Sequence, residues 1–134
     1  MARRNFGTQV TALVVDDNAL NQKIHQRLLE SVGVRNEVVT NGKEAVDIHC
    51  HGKRFDLILM DMDMPIMNGI QATKELRSMG IGSMIVGVSS RCPETEIRKF
   101  MESGLNDYHE KPLNTAKLNS ILHKMNPNFT SNNK

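Results

Sequence analysis

Three short, almost wholly apolar runs punctuate the chain: Ala12-Leu13-Val14-Val15, Leu57-Ile58-Leu59-Met60 and Met84-Ile85-Val86-Gly87-Val88. Unbroken apolarity over so few residues predicts strands buried on both faces. Asn36 to Thr40 predicts a weaker strand closed by Asn41-Gly42, and Asn106 to Glu110 a strand that is poor by propensity. Helical spacing fills the intervals. Asn18 suits an N-cap, and Leu20, Ile24, Leu28 and Val32 follow at i, i+4 until Gly33 stops the helix. Glu44 to His51 predicts a short helix, and a loop with Pro65 and Gly69 leads into another from about Ile70 to Met79. Pro93 suits the first turn of the next, whose inner face is expected to carry Ile97, Phe100 and Met101 before Gly104 ends it. Leu118, Ile121, Leu122 and Met125 line a last helix.

Strands that alternate with helices predict an α/β fold, a doubly wound parallel sheet covered on both faces. Residues 11–125 form one domain in this reading, with 1–10 an N-terminal extension and 126–134 a polar, disordered C-terminal tail. In such sheets, ligands bind beyond the carboxyl ends of the strands, at a switch point in strand order. Each strong strand runs into polar residues there: Asp16-Asp17, Asp61 and Ser89-Ser90, with Lys111-Pro112 after the poor fifth strand. Parallel strands therefore gather three carboxylates, a hydroxyl and an ammonium at one edge.

Composition narrows the choices. Seventeen Lys and Arg against fifteen Asp and Glu leave a net charge of +2, scattered along the chain, which speaks against a nucleic-acid partner. No apolar stretch approaches the roughly 20 residues of a membrane span, and no apolar signal region opens the chain. Cys50 and Cys92 have neither CxxC nor zinc spacing and read as reduced thiols, which points to a cytoplasmic location, with the nucleus also open. His49-Cys50-His51 lacks further ligands at zinc spacing and reads as a solvated helix end. Met60 and Met64 are expected in the core, with Met62 and Met67 exposed near the strand-end residues.

Three carboxylates brought together repel one another and call for a cation. Hard oxygen ligands in that number suit Mg²⁺, which keeps several waters and uses one or two carboxylates plus substrate phosphate. A free carboxylate beside such an ion can attack phosphorus, with Asp61 supplying the oxygen and the product an acyl phosphate. Lys111 could neutralise phosphoryl oxygens, and Ser89 could donate a hydrogen bond to one.

The segments Val14-Val15-Asp16-Asp17-Asn18, Asp56 to Pro65 with Gly69 following, Val88-Ser89-Ser90 and Glu110-Lys111-Pro112-Leu113 stand in order and at the right intervals. Over Thr11 to Met125 the chain resembles the receiver domain of two-component response regulators, most nearly the stand-alone type-C receivers of plant phosphorelays. The resemblance implies a flavodoxin-like sheet of order 2-1-3-4-5 and phosphorylation of Asp61 by a histidine-containing phosphotransfer protein. It implies Mg²⁺ on Asp17, Asp61 and the backbone carbonyl of Asp63, with Asp16 acting mainly through metal-bound water. Ser89 and Lys111 would contact the phosphoryl group, and Tyr108 would be the switch aromatic. It further implies a monomer or weak dimer without an output domain, in cytokinin signalling, with a role as a phosphate sink open to it. Ser89 stands where the family often has Thr, and Asp63 occupies a position thought to tune acyl-phosphate hydrolysis. Another class of reading is an aspartyl-nucleophile small-molecule phosphatase, suggested by the Asp61-x-Asp63 pair after a strand. Pro65 and the absence of a strand of that type near the chain start weigh against it.

Overall fold

The strand signals translate directly into paired structure. In the computed structural model, which describes residues 10–125, strands β1 (Thr11–Val15), β2 (Arg35–Val39), β3 (Leu57–Asp61), β4 (Met84–Ser89) and β5 (Asp107–Glu110) alternate with helices α1 (Ala19–Ser31), α2 (Gly42–Cys50), α3 (Gly69–Ser78), α4 (Glu94–Glu102) and α5 (Thr115–Met125). All four strand pairs are parallel, in the order β2-β1-β3-β4-β5. The expected tail and residues 1–9 of the expected extension lie outside the described residues. Val10 itself is buried and packs with the core.

Burial on both faces explains the apolar runs. Successive side chains point to opposite sides of the sheet. Ala12 and Val14 join a core with Leu29 of α1 and Leu118 and Ile121 of α5. Leu13 and Val15 join the other core, with Ala45 of α2, Leu76 of α3 and Phe100 of α4. β3 is buried at every position. At Gly87 of β4, an added Cβ would lie 2.6 Å from the Phe100 ring, so the missing side chain makes room for the largest α4 anchor.

Several positions depart from the sequence reading. Leu20 is 66% exposed, and the buried residues of α1 are His25 and Leu29. Each i, i+4 step overshoots a full turn by about 40°, so a four-member series drifts across the helix and its first member leaves the inner stripe. Met101 is exposed, leaving Phe100 as the one fully buried residue of α4. His49 is not solvated. It is buried, its Nδ1 lies 2.7 Å from the Ala45 carbonyl, and its ring meets Phe55 edge-on at 5.6 Å. Met62 is buried as well, turned into the core beside α3.

Candidate functional site

β1, β3 and β5 deliver their polar ends to one edge, and the local sequence fixes each in place. Asp16 follows β1, and its Oδ1 accepts from the Asn18 amide at 2.9 Å while its amide donates to the Val39 carbonyl at 3.2 Å. Asn18 in turn caps α1 through the Asn21 amide. The carbonyl of Asp16 accepts from Gln22 Nε2 at 2.6 Å. Asp61 ends β3, and α3 starts almost against it: a Cβ on Gly69 would come within 2.1 Å of the Asp61 carbonyl oxygen. Only glycine permits this approach. The Asn68–Gln71 capping box sets the first turn of α3, and the Gly42 and Gly69 amides donate to the Met67 and Met62 carbonyls at 3.0 and 2.8 Å. The β3–α3 loop is therefore pinned at both ends.

Lys111 follows β5 and is held by its backbone amide on the Ser89 carbonyl, 2.8 Å away. The Lys111–Pro112 peptide is cis. Its ammonium lies 2.9 Å from Asp61 Oδ1 and 3.0 Å from Asp16 Oδ2, both on buried side chains. Lys111 is thus shared between the two carboxylates at nearly equal distance. Asp17 is exposed, and one oxygen from each of Asp16, Asp17 and Asp61 lies within 4.8 Å of the others.

Charge is not balanced there. Three carboxylates against one ammonium leave two negative charges. Burial pushes the Asp61 carboxyl up to about 6; the Lys111 hydrogen bond opposes this, and the Asp16 and Asp17 charges add to it. Burial would lower the Lys111 ammonium, but the Asp61 and Asp16 carboxylates outweigh it and hold it above its ordinary value. A divalent cation matches the missing charge, and three carboxylate oxygens within 4.8 Å of one another match its need for hard ligands. Those residues fit a metal.

Ser89, at the end of β4, is fully buried, one position past Val88, which pairs with Asp61. Its Oγ lies 2.5 Å from the Tyr108 hydroxyl and 3.6 Å from Cys92 Sγ, and it donates to the Ser90 carbonyl at 3.0 Å. Tyr108 is half-buried on β5, with its ring edge-on to Phe100 at 6.3 Å. Asp63 has an exposed side chain in the β3–α3 loop.

Three nearby residues escape a reading of the sequence. Gln22 gives no motif signal. His25 is buried on α1, and its imidazole is lowered by burial, against the field of Asp16 and with that of Lys111, which keeps it neutral. Cys92 looked like an isolated thiol, because the contacts that involve it cross from a loop to β4 and β5.

Known proteins resemble this chain in sequence and in fold. The model of the response regulator receiver domain matches residues 12–123. Two-component response regulator 24 of Arabidopsis thaliana is 66% identical over 119 residues, which cover 89% of this chain and 86% of that protein. A second Arabidopsis response regulator, ARR22, is 47% identical over 84% of this chain and 81% of its own length. A receiver domain of a sensor histidine kinase from Pseudomonas aeruginosa, solved with magnesium in its active-site cleft, superposes with a TM-score of 0.77 at 31% identity, over 87% of this chain and 96% of that one. A Saccharomyces cerevisiae response regulator receiver, solved in complex with a histidine phosphotransfer protein, gives 0.77 at 29% identity, over 91% and 95%. The family match spans residues 12–123, a range that contains Asp16, Asp17, Asp61, Ser89 and Lys111, and with it the chain belongs to the response regulator receiver family.

Proposed function

We propose that Asp61 accepts a phosphoryl group from a phosphohistidine of a histidine-containing phosphotransfer protein, in a Mg²⁺-dependent reaction. The observation that carries this reading is the buried Asp61 carboxylate 2.9 Å from Lys111 Nζ, with Asp16 and Asp17 oxygens within 4.8 Å. Asp17, Asp61 and the Asp63 backbone carbonyl would hold the ion, with Asp16 reaching it through water. When bound, Mg²⁺ supplies charge neutralisation for the phosphoryl oxygens. An Asp61 oxygen forms the new O–P bond as the P–N bond to the donor histidine breaks. That nitrogen leaves with the bonding electron pair. Lys111 moves part of its pairing from Asp61 to a phosphoryl oxygen, and Ser89 donates its proton to another. Tyr108, already bonded to Ser89, would report this change outward.

Complexation of the yeast receiver with a phosphotransfer protein supports a partner of the same class here. The likeness to plant response regulators supports a place in plant phosphorelay signalling, with cytokinin as the input and the cytoplasm as the site. No helix among the described residues is long and apolar enough to cross a membrane. Family membership weighs against the small-molecule phosphatase reading.

The test is phosphotransfer from a labelled histidine-phosphotransfer protein, following both proteins over time. Label should move to the wild-type chain with Mg²⁺ and fail to move to Asp61→Asn. Wild-type-like label on Asp61→Asn would overturn the assignment. A phosphate sink drains label from the donor while little accumulates on Asp61; stable accumulation of the acyl phosphate would exclude that finer role.

A further inference from the structure

Three hydrogen-bonding groups surround the Ser89 hydroxyl. A serine hydroxyl has one proton to donate and two lone pairs to accept with. Its proton goes to the Ser90 carbonyl, 3.0 Å away. The Tyr108 hydroxyl lies 2.5 Å from the Ser89 oxygen and the Cys92 thiol 3.6 Å from it, so each is placed to donate to one of its lone pairs. Cys92 Sγ is also 3.9 Å from the Tyr108 hydroxyl, so the three groups touch pairwise. They come from the end of β4, the β4–α4 loop and β5, and the Phe100 ring of α4 closes the apolar side.

We propose that Cys92 is a positioning residue for phosphoryl transfer: its thiol completes the Ser89–Tyr108 cluster and holds the Ser89 hydroxyl in the arrangement of the unphosphorylated protein. The proposal rests on the reading of Ser89 as a phosphoryl contact. To donate to a phosphoryl oxygen, Ser89 must withdraw its proton from the Ser90 carbonyl and turn, which misaligns its contacts with Tyr108 and Cys92. Contacts made only before that turn oppose it, because an interaction present in one of two states biases the population toward that state. Packing alone would not need sulfur. Cys92 is half-buried beside apolar residues, where alanine would fill much of the same space but could not donate. Burial pushes the Tyr108 phenol above its ordinary value and the Cys92 thiol adds to this, while the Ser89 hydroxyl, able to turn and donate to the phenolate, opposes it.

The chain has a single tyrosine and no tryptophan, so an isotope label on the tyrosine ring gives one resonance that reports this cluster. The experiment compares wild type, Cys92→Ala and Cys92→Ser by that resonance at neutral pH. It pairs this with the initial rate of Asp61 phosphorylation by acetyl phosphate and Mg²⁺. In Cys92→Ala the resonance should move toward that of a tyrosine hydroxyl in water, and the rate should rise about two- to fivefold, the scale of one weak hydrogen bond. Cys92→Ser, which keeps a donor, should return both toward wild type. An unmoved resonance in Cys92→Ala, a rate that is unchanged or lower, or a serine variant that behaves like alanine would each overturn the proposal. Should wild type take no label, the receiver reading itself fails and the positioning role with it. A labelled wild type with an indifferent Cys92→Ala removes the Cys92 role alone.

Discussion

The two ends of the sheet treat polar groups in opposite ways. At the amino ends of the strands a web of hydrogen bonds ties loops and strand starts together. Arg77, at the end of α3, donates to the carbonyls of Gly104, Ile81 and Ser83 and to Asn106 Oδ1. Asn106 Oδ1 also accepts from the Ile85 amide at 2.8 Å, Ser83 Oγ donates to the Phe55 carbonyl, and Asp56 accepts from the Thr11 amide at 2.9 Å. At the carboxyl ends, three carboxylates share the neighbourhood of one ammonium. One end fastens α3 and the strand starts together. The other keeps unmet charge ready for a cation and a phosphoryl group.

The largest expected effect on stability belongs to the amino end. Arg77→Ala strands acceptors from three loop carbonyls and Asn106, and should lower unfolding free energy by about 3–5 kcal/mol in urea. The folded fraction should still phosphorylate. A loss below about 1 kcal/mol would mean that water replaces the guanidinium at little cost.

Next comes Lys111→Ala. From the sequence alone such a change looks neutral for folding, but the ammonium is the one cation contacting both buried carboxylates among the described residues. Removing one partner of a buried ion group is costly, about 3 kcal/mol here, with protonation of Asp61 relieving part of it. Saturating Mg²⁺ should restore most of the loss in thermal melts, while the partner response to phosphorylation stays uncoupled. A melting midpoint indifferent to Mg²⁺ would contradict the shared-charge picture.

Asp61→Asn should act in the opposite direction. Because the folded value of the Asp61 carboxyl is raised from 3.8 to about 6, the folded protein holds this proton more tightly than the unfolded chain does. The resulting penalty is fully present above pH 6 and is relieved as pH falls toward 3.8. Metal-free Asp61→Asn should therefore be more stable than wild type at neutral pH, by at most about 3 kcal/mol. That advantage should shrink on acidification and on adding Mg²⁺. Equal midpoints across that pH range would speak against an uncompensated carboxylate.

Smallest in stability is Asp63→Ala, whose exposed side chain should cost less than about 0.5 kcal/mol. It should nevertheless change the lifetime of the acyl phosphate, by removing charge from the path of attacking water. An unchanged decay rate would leave Asp63 no role beyond its carbonyl.

The same contrast explains what could be read from the chain. β1, β3 and β4 were legible because burial on both faces leaves apolar runs, and the strand-end rule then placed Asp16, Asp17, Asp61 and Lys111 at one edge. β5 was visible only through its position before Lys111, since Asp107-Tyr108-His109-Glu110 has weak strand propensity. Side-chain direction was harder. The phase of α1 decided that Leu20 faces water and His25 the interior. The turn after β3 decided that Met62 points inward. Cys92 was invisible as a neighbour of Ser89 because a loop contact between residues from separate elements has no periodicity to betray it.

Titration of the Asp61 carboxyl by carbon-detected magnetic resonance, with and without Mg²⁺, bears most directly on the convergence of these carboxylates. Without metal the midpoint should lie near 6, and saturating Mg²⁺ should drive it down below the ordinary carboxylate range. A midpoint at the ordinary value of 3.8 in both conditions would contradict it.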